Sequence, residues 1–177
     1  FLASPLFLFA SGSVNEVFFD PVGTDTGFEA VELFNPTASA INLSGWELYP
    51  DGIGYFTFPA EFSIAPSAFV VVHLRASGAD SALDLYHASP TSNMGNSSGS
   101  IALFQPGGRS SQTIIDFVRY RKLDTSEESA SKTWESAAAE VGLWATGTHV
   151  DITAAGEGSS ISRAMDGTGS GVAAWGV

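Results

Sequence analysis

Seven short apolar runs, each bounded by turn-forming residues, limit what this chain can fold into. VNEVFF, AVELFN, WELY, YFTF, FVVVHL, SIALF and TIIDFVRY are rich in Val, Ile, Phe and Tyr, side chains that suit a pleated, half-buried surface. Between them lie DPVGTDTG, NPTAS, LSG, PDG, ASGAD, NSSGS and QPGG. These supply the residues tight turns need: Gly reaches positive φ, Pro presets φ, and Asn and Asp bond their own backbone. Runs this short, at this spacing and with little helix between them, predict an all-β fold, an antiparallel β-sandwich.

One stretch departs from the pattern. DTSEESASKTWESAAAEVG is rich in helix formers. Thr125 followed by Glu128 fits a capping box and Gly142 can stop the helix. One surface helix is therefore expected over 126–140, inserted between strands, with Trp134 and Val141 laying its apolar side on the sandwich. The tail ISRAMDGTGSGVAAWGV returns to strand and turn character. At 177 residues the chain is long enough for one domain with a sizeable core and short for two.

Composition excludes several function classes. The net charge of −12 opposes nucleic-acid binding, which needs a basic stripe against phosphate. Arg119, Arg121 and Lys122 form the basic cluster, and three charges do not make a groove. Cysteine is absent, which removes thiol catalysis, Cys-ligated metal and disulfides. No run of about 20 apolar residues is present, so no helical membrane span is expected.

Five stretches carry a further signal. They are Val14-Asn15-Glu16-Val17, Glu29-Ala30-Val31-Glu32-Leu33-Phe34-Asn35-Pro36, Asn42-Leu43-Ser44-Gly45-Trp46, FPAEFSIAPSAFVVV, and Ser160-Ile161-Ser162-Arg163 with Asp166-Gly167. In this order and spacing the chain resembles the lamin tail domain family over about 14 to 175. Ala60, Ser67 and Ala68 stand where the family has glycines, and Ala30 where many relatives carry Trp. The resemblance implies an immunoglobulin-like β-sandwich without catalytic activity. Eukaryotic members form the tails of nuclear lamins; bacterial and archaeal members resemble accessory modules of secreted or surface proteins. The acidic chain, without a coiled coil, argues for the second group and for an extracellular or cell-surface location.

The individual motif residues have structural roles available to them. Gly45-Trp46 fits a turn before a core Trp. Asn15 and Asn35-Pro36 suit turn or strand-end backbone groups, and Arg163 is expected to pair with a carboxylate such as Glu32. His73, His87 and His149 are scattered, and no H-x-x-x-H pair, G-x-S-x-G elbow or Gly-rich phosphate loop occurs. No enzyme activity, cofactor or metal is therefore expected. Asp20, Asp25 and Asp166 lie in Gly-rich turns of the kind that supply calcium ligands, but without the spacing of an EF-hand loop. Two glycosylation sequons occur, at Asn42 and Asn96. Asn96, in a polar loop, is expected to be the more accessible.

The chain opens FLASPLFLFASGSV, with Phe1, Leu2, Leu6, Phe7, Leu8 and Phe9 crowding six large apolar side chains into nine residues. A signal-peptide core fits the length but lacks a basic flank. A helix of ten residues reaches only about 15 Å, half a bilayer core, and Pro5 weakens it. The reading that remains is a strand, whose burial contributes on the order of 10 kcal/mol. Ser11-Gly12-Ser13 is expected to act as a flexible hinge between this segment, 1–10, and the domain, 14–177. The segment then completes either its own sheet or that of a neighbouring copy, by donor-strand complementation. The expected function is a structural subunit of an extracellular, pilus-like filament, with other copies of the chain as partners. The alternative is a monomeric surface module that binds carbohydrate or protein, in a calcium-dependent way in one version, with Tyr49, Tyr55 and Tyr86 as a stacking platform.

Overall fold

The computed structural model describes residues 12–125 and 130–177. Phe1, Leu2, Leu6, Phe7, Leu8 and Phe9, and the strand expected over 1–10, lie outside the described residues.

The described chain is mostly β, in more than one sheet, consistent with an immunoglobulin-like fold. The larger sheet contains β1 (Ser13–Asp20), β2 (Ala30–Phe34), β7 (Phe69–Leu74), β8 (Asp84–His87), β12 (Ser159–Arg163) and β13 (Trp175–Gly176). Its strand order is β13-β12-β1-β2-β7-β8. The second contains β4 (Glu47–Pro50), β5 (Phe56–Thr57), β9 (Ser98–Phe104), β10 (Ile114–Arg121) and β11 (Val150–Asp151), in the order β11-β10-β9-β4-β5. A small ladder joins β3 (Ile41–Asn42) to β6 (Ser63–Ile64). All seven runs that open the sequence analysis contain strands: β1, β2, β4, β5, β7, β9 and β10.

The sandwich is not wholly antiparallel. β8 pairs with β7, and β11 with β10, in parallel. A parallel pair needs a crossover rather than a hairpin, and the connections over 75–83 and 122–149 provide it.

Alternation places the core. Val70, Val72 and Leu74 of β7 are fully buried, and Phe69, Val71 and His73 half-buried on the opposite face. Val17 and Phe19 of β1, Leu33 of β2, Ile161 of β12, and Ile101, Leu103, Val118 and Tyr120 of the second sheet join the same core. Phe19 stacks on Tyr120 with ring centroids 4.6 Å apart, which ties one sheet to the other.

β9 is buried along its whole length because a segment of the chain covers the outer face of its sheet. That segment holds a 3-10 turn, Ala130–Lys132, and α1, Glu135–Glu140. Trp134 meets Phe104 edge-on at 4.9 Å, Trp144 meets Phe117 at 5.6 Å, and Ala138 is fully buried. The helix expected over 126–140 is thus much shorter. Residues 130–132 wind as 3-10 and Trp134 leaves helical geometry at φ −113°, ψ 7°, where its ring turns toward Phe104. Residues 126–129, including Glu128, lie outside the described residues. Gly142, at φ 76°, ends the helix as expected, with its N–H donating to the Ala139 carbonyl. Val141 does not join the apolar side; it is 48% exposed.

The stretch expected as a hinge is largely built into the fold. Gly12 and Ser13 are buried, and Ser13 opens β1 opposite Phe34.

Candidate functional site

Four of the five motif stretches meet at the start of β1. The β1–β2 register shifts between Val14 and Glu16, which frees the Val14 backbone for other partners. Its N–H donates to Asp116 Oδ2 at 2.9 Å, and its carbonyl accepts from Arg163 Nε at 2.7 Å. Arg163 Nη2 closes the ring onto Asp116 Oδ2 at 2.6 Å. Arg163 Nη1 donates to the carbonyls of Thr168 and Gly169, and the guanidinium lies 4.8 Å over the Trp175 ring.

Both side chains are almost wholly buried, at 2% and 9% exposure. Burial pushes the Asp116 carboxyl up from its ordinary range, while Arg163 and the N–H groups of Phe117 and Val14 pull it back. The groups bonded to it are all donors. They suit a carboxylate and offer no acceptor to an acid proton, so the pair is ionic.

The expected pairing of Arg163 with Glu32 is not formed. Alternation explains why: Arg163 points inward like Ile161, whereas Glu32 lies on the outer face, opposite to Val31 and Leu33. Glu32 instead accepts from Asn15 Nδ2 at 3.0 Å. The same amide reaches Asp166 at 3.2 Å, and Asn15 Oδ1 accepts from the Gly167 N–H. Gly167 sits at φ 64°, and a Cβ there would lie 2.7 Å from the Phe34 ring and 2.9 Å from Pro36, so the glycine of the Asp-Gly pair is a packing requirement. Asn35 is fully buried and donates to the carbonyls of Ser39, Ile64 and Ala65 while accepting from Thr37. The turn roles expected for Asn15 and Asn35 therefore hold. Trp46 follows its turn but is only half-buried.

The outer face of the larger sheet bears an open hollow of about 340 Å³, lined by Glu16, Phe18, Ala30, Glu32 and Val71. Glu16 stands directly opposite Glu32, and Phe18 opposite Ala30. Burial raises the Glu32 pKa, Glu16 and Asp166 add to the rise, and the Asn15 amide opposes it.

The other candidate residues do not converge. His73 Nε2 lies 2.8 Å from Asp84, with its ring stacked on Tyr86. The nearby Ser81 hydroxyl faces Asp84 at 3.5 Å rather than the imidazole, so this Ser-Asp-His grouping gives the serine no base. His87 packs edge-on against Phe56 and burial lowers its pKa. Asp20 is buried beside Lys122, at 4.0 Å, and Asp25 accepts from Asn96, while Asp166 is held in the Asn15 network. Among the described residues no three His, Cys, Asp or Glu side chains gather as a metal site.

Tyr49 and Tyr55 pack together at 4.7 Å under Arg109, but Tyr86 is on the other sheet, so the three form no single platform. Asn42 is exposed, whereas Asn96 is half-buried with its amide on Asp25, which reverses the expected order of accessibility. The basic cluster is dispersed as well: Arg119 is buried against Glu135 at 2.7 Å.

Asp116, Glu135 and Glu29 were not singled out by sequence reasoning. The signal for Asp116 was a lone acid inside the apolar run TIIDFVRY. Glu29 is 1% exposed, and its Oε1 accepts from the Met94 N–H at 2.8 Å. Its Oε2 is buried without a hydrogen-bond partner among the described residues. Burial, with Asp25 adding to it, pushes its carboxyl up to about 8.

A profile of the lamin tail domain matches residues 12–122. The chain belongs to the lamin tail domain family. This is a family of immunoglobulin-like structural and interaction domains rather than enzymes. The match ends just after β10, yet β12 and β13 lie beyond it in the larger sheet, β12 paired with β1 and β13 with β12. No curated protein matches the chain.

Proposed function

We propose that this lamin tail domain is a non-catalytic structural subunit of an extracellular, pilus-like filament, in which residues 1–10 of one copy are donated to the next. One observation carries the reading: both neighbours of β1 run out where β1 begins. β2 ends at Phe34, opposite Ser13. β12 ends at Arg163, one residue past Ser162, which faces Glu16. Among the described residues neither neighbouring strand continues past Ser13, and the sequence upstream of it carries six large apolar side chains. Left in water, such a segment is an aggregation hazard. A second copy supplies the missing surface through a head-to-tail contact, which builds an open filament when its rotation does not close.

Deleting residues 1–10 should abolish polymers and leave a folded monomer. Electron microscopy and sedimentation of the full and shortened chains read this directly. Fibres from the shortened chain would end the proposal. The face of the larger sheet, which the described residues leave open with its hollow, favours a second reading, a monomeric binding module at a cell surface. That reading requires the full chain to sediment as a sharp monomer at high concentration.

A further inference from the structure

We propose that the acceptor for the apolar segment is a sheet face rather than a sheet edge: residues 1–9 of one copy dock on the outer face of the larger sheet of the next, over the hollow at Ala30. The inference rests on the donation reading above and names its receiving surface.

The edges argue first. Among the described residues, the edge strands of the two larger sheets are β13, β8, β11 and β5. Three of them are two residues long. A nine-residue extended segment spans about 30 Å and would leave most of its ladder groups unpaired on any of these. β8 is longer, but its own chain straps it. The Asp84 N–H donates to Ser81 Oγ, the Tyr86 N–H to Asp80 Oδ1, and the Asp84 carbonyl accepts from the Ser81 N–H. Blunting of this kind closes an edge to strand addition.

The face offers what the edges lack. Ala30 sits directly between Phe18 of β1 and His73 of β7, so a small side chain is framed by two rings. Val71 walls the hollow, and the Phe34–Phe69 pair, 4.5 Å between centroids, continues the apolar surface along β2 and β7. In an extended donor, Phe7 and Phe9 project from one side about 7 Å apart, which suits knobs entering such a surface. The donor backbone stays open to water on its far side. Residues 1–15 carry no charged side chain, so the acidic rim of Glu16 and Glu32 meets no like charge.

The donation reading assigns this face to the segment of a second copy. A Cβ on Gly12 would lie 3.9 Å from Leu43 Cδ2, a core atom. Gly12 thus faces the core at the start of β1. Phe18 is six residues, about 20 Å, further along on the opposite side of the sheet.

The test uses two complementary variants. Ala30→Trp fills the hollow and leaves the donor intact, and the deletion of residues 1–10 removes the donor and leaves the hollow open. Each alone should lose all species larger than a monomer in sedimentation velocity. Mixed at equal concentration, they should form a one-to-one dimer and stop. Val71→Glu, which places a charge on the hollow's wall, should repeat the Ala30→Trp result, and thermal unfolding of both confirms that they fold. If folded Ala30→Trp and Val71→Glu polymerise like the parent while the deletion does not, the face is not the acceptor and donation survives. If the deletion itself polymerises, donation and its acceptor both fall. A parent that stays monomeric, and loses stability on deletion, places the segment on its own domain and overturns the proposal.

Discussion

The two outer faces of the sandwich are treated differently by the same chain. The face of the five-stranded sheet is covered by residues 130–144, with Trp134 on Phe104 and Trp144 on Phe117. Arg119, which would otherwise point to solvent from β10, is buried at 2% exposure and bonded to Glu135 of α1. The Gly147 N–H donates to the same Glu135 oxygen. The face of the six-stranded sheet carries half-buried Phe18, Ala30 and Val71 around an open hollow. Strand alternation alone makes one side of a sheet core and the other surface. The covering segment overrides it on one side, and there an ion pair and two Trp rings hold the cover down.

The largest expected effects lie in the buried ion pairs. Arg163→Ala leaves Asp116 between the sheets without its cation and frees the Val14 carbonyl, so stability should fall by about 5 kcal/mol, the top of the range for a broken buried pair. Glu135→Ala breaks a pair of similar burial but should cost about 3 kcal/mol, because the cover can lift and admit water to Arg119. Glu32→Ala, on the uncovered face, should cost at most about 1 kcal/mol. Denaturant unfolding of the three variants reads the order. Equal losses for Arg163→Ala and Glu135→Ala would mean that the cover is as rigid as the core. Faster amide exchange over 130–144 in Glu135→Ala alone would show it lifting.

pH also separates the interior from the open face. Glu29 lies at the entry to β2, and its folded pKa of about 8 stands above the ordinary 4.5. Between those values the folded state holds a proton that the unfolded state has released. Stability from this group is therefore full below pH 4.5 and declines as pH rises toward 8. The decline should be on the order of 3 kcal/mol. Glu29→Gln should flatten the curve measured by thermal unfolding from pH 5 to 8.5. Glu32→Gln should leave most of the slope, since Glu32 shifts in the same direction but stands half-exposed beside water. A slope that vanishes in Glu32→Gln and persists in Glu29→Gln would put the pH sensitivity on the uncovered face.

Much of the fold was legible because the strong strands advertise themselves. β1, β2, β7 and β10 combine β-branched and aromatic residues with flanking turns, and Asn15 and Asn35 serve the backbone groups their turn chemistry suggests. What escaped has a physical cause in each case. β11 and β13 are two residues long and exist only because β10 and β12 lie beside them. The helix was overextended because helix formers fill 126–140, whereas packing of Trp134 and Ser131 against the sheet sets where the coil tightens; Ser131 is fully buried. Pairing of Arg163 with Asp116 joins residues 47 positions apart on different sheets, and no local pattern encodes which inward acid meets which inward base. The hollow at Ala30 is visible only once β1, β2 and β7 are side by side.

The smallest effect tests whether the uncovered face is uncovered in solution. Phe18 is half-buried, so Phe18→Ala should cost about 1 kcal/mol, well under the roughly 3–5 kcal/mol of a fully buried Phe. Made in the protein lacking residues 1–10, the same substitution should cost the same amount, because a face bare in the monomer has nothing to lose with the segment. If Phe18→Ala costs about 3 kcal/mol or more in the full monomeric chain and only about 1 in the shortened one, the two positions are coupled. Residues 1–10 would then cover Phe18 within one molecule. The contrast between a covered and an uncovered face would belong to the shortened chain alone, with each sheet covered by its own segment of the same chain.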